Sequence, residues 1–253
     1  MTTKIYFNNE KFIAGITLKN EKELEQHNMA LHVCDNEEDV VQNRQKLAAY
    51  VGCDIEQFVC ANQTHSDNVY KVTKKDCGRG ALSKDTAIPN TDALYTTESH
   101  IVLCTFTADC VPIIFYSEKS GIIGVIHSGW QGTVKEITRK VFEHIQKNEQ
   151  CDIKDFRVHL GSAISQEKFE VDEDVYAKFK NLGYANEFIY FNEETGKYHI
   201  DNQQTVKKQC ELCGIPSEQI TIDSTCTYKH PQGFSYREDK KAGRHLSFIM
   251  KKA

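Results

Sequence analysis

Three short segments of this chain each carry one residue able to bind a metal ion. They are Asn62-Gln63-Thr64-His65-Ser66-Asp67, Thr107-Ala108-Asp109-Cys110-Val111-Pro112 and Ile126-His127-Ser128-Gly129-Trp130-Gln131-Gly132-Thr133. Two imidazoles and a thiolate can hold a zinc-type ion and leave its fourth position open, which points to catalysis because structural zinc sites close with four protein ligands. The candidates stand 45 and 17 residues apart (65 to 110 to 127), so only a fold can bring them together. Each also has a plain alternative: His65 as a hydrogen-bonded surface residue, Cys110 as a small buried side chain, and Asp92 and Asp109 as turn-capping carboxylates. Residue types and spacing leave these alternatives open.

The elements that must position these residues read as follows. Strands are expected at Lys4 to Phe7, Phe12 to Leu18 and Phe58 to Ala61, with a helix from Val40 to Tyr50 stopped by Gly52. Residues 74 to 92 read as a long loop rich in Lys, Asp, Gly, Pro and Asn. Three apolar, β-branched runs follow, Ile101 to Phe106, Val111 to Tyr116 and Gly121 to Ile126. Such continuous runs suit a sheet covered on both faces. Glu118-Lys119-Ser120-Gly121 reads as the turn between the last two. His127 then falls at a sheet edge, before a helix spanning Thr133 to Gln146 with Thr133 as its N-cap. The free N–H groups of that helix start could receive an anion. Pro112 biases the backbone before it towards an extended form.

In the last third, strands are expected at Phe156 to Leu160, Phe188 to Phe191, Ile220 to Ile222 and His245 to Met250, with helices at Asp172 to Leu182 and Asp201 to Cys213. The alternation gives an α/β class with mixed sheets flanked by helices. No composition break divides the chain, so residues 1–253 read as one domain.

Composition narrows the function classes. A net charge of −5 argues against general nucleic-acid binding, which depends on neutralising phosphates. The basic run from Lys240 to Lys252 reads as a solvated edge. No apolar window is long enough to span a membrane, and the N-terminus shows no signal-peptide core. Cytoplasmic residence is the expectation, with the ten cysteines mostly free thiols. Cys210-Glu211-Leu212-Cys213 has CxxC spacing but no second pair, so helix packing is its expected role.

Further motifs connect the three segments to a known family. His127-Ser128-Gly129-Trp130-Gln131-Gly132-Thr133 resembles the His-Ala-Gly-Trp-Arg-Gly-Thr signature of the multicopper polyphenol oxidase or laccase-domain proteins. Thr107 to Pro112 is similar to its second signature and Gln63-Thr64-His65 to its Gln-Val-His. Asn43-Arg44, Asp92-Ala93-Leu94, Gly161-Ser162-Ala163-Ile164 with Phe169-Glu170-Val171, Cys226-Thr227-Tyr228, Phe234-Ser235-Tyr236-Arg237 and Gly243-Arg244 resemble further blocks. The likeness covers roughly residues 40 to 250.

This resemblance implies a layered α/β sandwich, similar to cytotoxic necrotizing factor-type cysteine hydrolases. It implies a zinc-dependent purine nucleoside phosphorylase taking adenosine, inosine and methylthioadenosine with phosphate, and deaminating adenosine. It places the zinc ligands at His65, Cys110 and His127, with copper as a substitute metal, and a phosphate or ribose contact at Arg44 beside Asn43. Asp92 and Asp109 are the acid/base candidates and Cys110 is a catalytic as well as a ligand candidate. Gln131 stands where the family has Arg, and the early Thr-Thr-Arg-x-Gly-Gly block is reduced to Gly15-Ile16-Thr17-Leu18-Lys19.

Three rival readings use the same residues. A copper oxidase of the laccase type needs many histidines and a blue-copper site, and none of the ten histidines forms a His-x-His pair. A metal-free hydrolase would use Cys110 as nucleophile and His127 as base. A non-enzymatic metal- or nucleoside-binding protein is the third.

Overall fold

The computed structural model describes residues 2–252. Its strands are β1 (Thr3–Asn8), β2 (Phe12–Thr17), β3 (Phe58–Val59), β4 (Val69–Lys71), β5 (Ala93–Thr96), β6 (Val102–Thr107), β7 (Val111–Tyr116), β8 (Ile123–Ser128), β9 (Arg157–Leu160), β10 (Glu170–Val171), β11 (Ile189–Asn192), β12 (Lys197–Ile200), β13 (Ile220–Ile222) and β14 (His245–Lys251). Its helices are α1 (Glu37–Val51), α2 (Trp130–Val134), α3 (Ile137–Glu149), α4 (Glu173–Lys180) and α5 (Asn202–Leu212).

The strands form three sheets. One runs β1-β2-β14-β6-β3, one β13-β9-β7-β8-β5-β4, and a small one β10-β12-β11. The two large sheets are mixed, with β3 parallel to β6, β4 parallel to β5 and β13 parallel to β9 among otherwise antiparallel pairs.

Alternation along each strand decides the layering. On β6, Val102, Cys104 and Phe106 pack with α1 residues such as Leu47, whereas Leu103 faces the other sheet. On β7, Ile114 meets Leu103 in the shared interior, while Val111, Ile113 and Phe115 pack under Val141, Phe142 and Ile145 of α3. The order of layers is therefore α1, five-stranded sheet, six-stranded sheet, then α3 and α5. Apolar runs appear continuous in the sequence because both faces of these strands are covered. The small sheet, α4 and Trp130 form a separate apolar cluster beside the strand ends.

Several boundaries follow local chemistry. Asn36 caps α1 by accepting from Glu38 N–H, and Gly52 ends it in the left-handed region at φ 77°. The helix expected from Thr133 to Gln146 is two helices, because Glu136 is left-handed at φ 58° between them. Thr133 is not an N-cap: it lies inside α2, whose N-cap is Gly129, and its hydroxyl bonds Ser128 Oγ. His127 is not at a sheet edge either, since β8 lies between β7 and β5. Strands β4, β5, β10 and β12 were not visible as hydrophobic runs. Cys210 of the CxxC pair lies on the buried face of α5, in the core. No described helix is long and apolar enough to cross a membrane.

Candidate metal centre and active-site cavity

The site is built at one end of neighbouring strands. His127 is the fifth residue of β8 and pairs with Pro112 of β7, so Cys110 at the entrance of β7 lies close by. His65 arrives on the loop before β4, the edge strand next to β5. The ligand atoms of His65, Cys110 and His127 lie within 4.8 Å of one another. Cys110 Sγ is 3.9 Å from His65 Nε2, and the two imidazole rings meet edge to face at 4.8 Å.

These separations suit one ion. Zinc–sulfur and zinc–nitrogen bonds of about 2.3 and 2.0–2.1 Å put neighbouring tetrahedral ligands roughly 3.3–3.6 Å apart. The Cys110–His65 pair at 3.9 Å therefore needs a few tenths of an ångström of closure, and the widest pair, within 4.8 Å, up to about 1 Å. Among the described residues, this is one group with three such ligands within reach.

Asp92 organises the centre without entering the cavity. It is 3 % exposed, and five donors converge on its two oxygens. His127 Nδ1–H donates to Oδ1 at 2.8 Å and His65 N–H at 3.1 Å. Thr64 N–H, Ser66 N–H and the Ser66 hydroxyl donate to Oδ2 at 3.2, 2.7 and 2.6 Å. With Nδ1 held this way, His127 presents Nε2 to the ligand position, the carboxylate–histidine arrangement that orients metal ligands. The same carboxylate holds the His65 turn, where His65 itself is left-handed at φ 56°. Burial opposes ionisation of Asp92, yet His127 and Ser66 hold it below the usual carboxylate range.

The sulfur and the imidazole act on each other. Burial pushes the Cys110 thiol up, but His127 and His65 outweigh it and bring it down to about 6. Burial likewise disfavours the His127 cation, but Cys110 and Asp92 raise it to about 9. Without metal, the pair is therefore a thiolate beside an imidazolium. Gly129 is required where the chain passes this pair: a Cβ there would stand 2.6 Å from His65 Cδ2 and 2.9 Å from Cys110 Sγ.

The three ligands line a cavity of about 630 Å³. Phe106, Trp130 and Phe169 give it aromatic walls, and Asp109, Gln131, Arg237 and Arg244 supply polar groups. Lys178 lies over the Trp130 ring at 4.9 Å. Asp109 is left-handed at φ 83°. Its Oδ1 accepts from the Thr227 hydroxyl at 2.7 Å, and its Oδ2 from Ser235 Oγ at 3.0 Å and Arg237 N–H at 2.7 Å. Gln131, exposed at the rim, places an amide where the resemblance expects a cation.

Arg44 and Asn43 do not reach this cavity, which corrects their expected role as substrate contacts. Arg44 is 2 % exposed. Its Nε donates to Met29 O and its Nη1 to Gly80 O and Ala81 O, and Phe106 covers the guanidinium at 5.0 Å. Asn43 Nδ2 donates to Leu24 O and Asn28 O. The pair braces loops behind the site. The sequence alone assigns no role to Arg237, Arg244, Trp130 or Phe169, although all four lie within the family-like motifs.

Comparisons with known proteins identify the family and the fold. "Purine nucleoside phosphorylase YlmD" of Bacillus subtilis is 37 % identical over 253 residues, spanning 97 % of this chain and 91 % of that protein. The Geobacillus stearothermophilus protein of the same name is 34 % identical, with 94 % and 89 % covered. The crystal structure of YlmD from Geobacillus stearothermophilus superposes with a TM-score of 0.90 at 33 % identity, covering 96 % of this chain and 92 % of that one. That of the Bacillus licheniformis hypothetical protein YfiH gives 0.90 at 34 %, covering 94 % and 92 %. The family model described as multi-copper polyphenol oxidoreductase laccase matches residues 16–252, and the chain belongs to that family.

Proposed function

We propose that this protein is a purine nucleoside phosphorylase whose site holds zinc on His65, Cys110 and His127. The observation that carries the reading is the open three-ligand cluster within an aromatic-walled cavity. Its support is the activity for which relatives aligning along nearly the whole chain are named. The substrates in this reading are adenosine, inosine and methylthioadenosine with phosphate, and adenosine deamination is a side activity. Zinc at this position would supply Lewis acidity and a water acidified towards neutral pH.

The chain's own residues would do the rest. Asp92 fixes the His127 ring and the His65 turn, so it is a positioning residue and not an acid/base group. Trp130, Phe106 and Phe169 offer flat apolar faces for a purine and exclude water from it. Asp109, next to Cys110 and facing the cavity, is the carboxylate placed to hold or move a proton. The polar atoms around it fix its orientation.

The decisive experiment is a nucleoside panel with and without phosphate, run beside metal analysis of protein purified without added metal. Phosphate-dependent release of free base with ribose 1-phosphate is expected. Base release that is indifferent to phosphate would indicate hydrolysis instead.

One observation favours a second reading. The Cys110 thiolate, His127 and Asp92 form a Cys–His–Asp series, which a metal-free hydrolase of the cytotoxic necrotizing factor type would use. Retention of full activity after complete metal removal would select it. The laccase reading lacks ligands: a multinuclear copper centre needs more than the one three-ligand group present among the described residues.

A further inference from the structure

Two guanidinium groups line the cavity without a carboxylate partner. Arg244 stands directly before β14, and its backbone is fixed to the segment around Asn28: its N–H donates to Asn28 Oδ1 at 2.8 Å and its carbonyl accepts from Met29 N–H at 3.2 Å. Its Nη1 donates to Ala242 O and Gly243 O, and its Cζ lies 5.7 Å from the Tyr236 ring centroid. Among the described residues, Nε and Nη2 have no acceptor. Arg237 is similar: its Nη1 donates to Lys168 O and its Cζ lies 5.8 Å from the Phe169 ring centroid.

The carboxylates of the cavity are engaged elsewhere or exposed. Three neutral donors occupy the oxygens of Asp109. Glu170 and Asp172 pair with Lys197, and Glu170 lies near His199. Asp174 is exposed on α4. Burial pulls the Arg244 guanidinium below its ordinary range, opposed by Cys110, Tyr236 and Asp109. A half-buried arginine, held by backbone carbonyls and with unused donors beside a ligand cavity, is the geometry that recognises a planar or tetrahedral oxyanion.

We propose that Arg244, with Arg237 at the rim, forms the seat of a tetrahedral oxyanion, which is inorganic phosphate in the phosphorolysis reading on which this assignment rests. It replaces the role that the sequence suggested for Arg44. The two carbonyls on Nη1 hold the fork, with Tyr236 beside it, so Nε and Nη2 can donate side by side to two oxygens.

The test combines turnover with direct binding. Phosphate and nucleoside KM values are measured for wild type, Arg244→Gln, Arg244→Lys and Arg237→Gln, and each protein is titrated calorimetrically with inorganic phosphate alone. Melting curves accompany every variant. Arg244→Gln should raise the phosphate KM by about 10- to 100-fold, the size of lost charge-assisted hydrogen bonds. Its nucleoside KM should stay within about threefold. Arg244→Lys keeps the charge without the fork and should fall between. If Arg244→Gln fails to fold, Arg244→Lys decides the matter. Unchanged phosphate KM in folded variants overturns the assignment. If wild type binds phosphate through Arg244 but cleaves no nucleoside, the nucleoside reading fails and the oxyanion seat stands. If it does neither, both fall.

Discussion

Replacing Gly129 by Ala should remove the metal without unfolding the chain. The backbone at this position, φ −69° and ψ 168°, suits any residue, so the substitution adds no torsional strain. Its whole effect comes from one methyl group. That carbon would stand 2.6 Å from His65 Cδ2, against an ordinary contact near 3.4 Å, so the imidazole must retreat by about 0.8 Å (3.4 − 2.6). Cys110 Sγ, at 2.9 Å, must move as well. Metal–ligand distances tolerate only about 0.2 Å, so at least one ligand should be lost. The expected result is a drop in zinc affinity on the order of 100-fold, measured by competition with a chromophoric chelator. Overpacking should cost the metal-free fold about 1–3 kcal/mol, or a melting point lower by roughly 2–4 °C per kcal/mol. The control is Gly132→Ala, three residues on, where the nearest atom is Ile137 Cγ2 at 3.3 Å. It should bind zinc as wild type does. Wild-type zinc affinity in Gly129→Ala would refute the ligand geometry proposed for His65 and Cys110.

Asp92→Asn should weaken zinc binding by about 10- to 100-fold, because an amide cannot accept all five donors that hold the two ligand segments; equal metal occupancy under chelator competition would contradict this. In metal-free protein, the rate of Cys110 alkylation by iodoacetamide should reach half its plateau near pH 6, following the lowered thiol; a midpoint near 8.5 would contradict it. A lowered Cys110 stabilises the fold fully above its unfolded value and loses that contribution as pH falls through about 6, whereas a raised His127 loses its contribution as pH rises through about 9. Metal-free protein should therefore melt highest between these limits. Arg44→Ala should cost roughly 3–5 kcal/mol in denaturant midpoint, since three buried carbonyls lose their donor, with phosphate KM unchanged in whatever folds.

The three residues that cluster and the central strands were legible in the sequence for a physical reason. β7 is bounded as expected, Val111 to Tyr116, because an apolar run between two polar turns has one plausible reading. His65, Cys110 and His127 could be named but not joined, since spacing carries no information about strand order. What the sequence concealed was short or local. β5 is only four residues, Ala93-Leu94-Tyr95-Thr96, directly after a loop rich in turn formers, yet it carries Asp92 into the centre. The break at Glu136 hides inside a helical pattern, because a left-handed residue leaves no mark on hydrophobic periodicity. Arg44 misled because an invisible partner decides an arginine's role: three backbone carbonyls make it a brace, and only the fold brings them to it.

The five donors on Asp92 hold two of the three candidate ligands, His127 and the His65 turn, in place before any ion arrives. A centre that must be created by its metal can refuse ions that fail to fold it; a prebuilt one cannot select in that way. Two imidazoles and a thiolate favour copper over zinc on affinity alone. In the metal-binding reading, which ion occupies the cluster is then decided by the free concentration of each metal where the chain is made. Metal analysis of protein from different growth media should follow the medium, while the cavity that surrounds the ion, and the ligands it admits, stay the same.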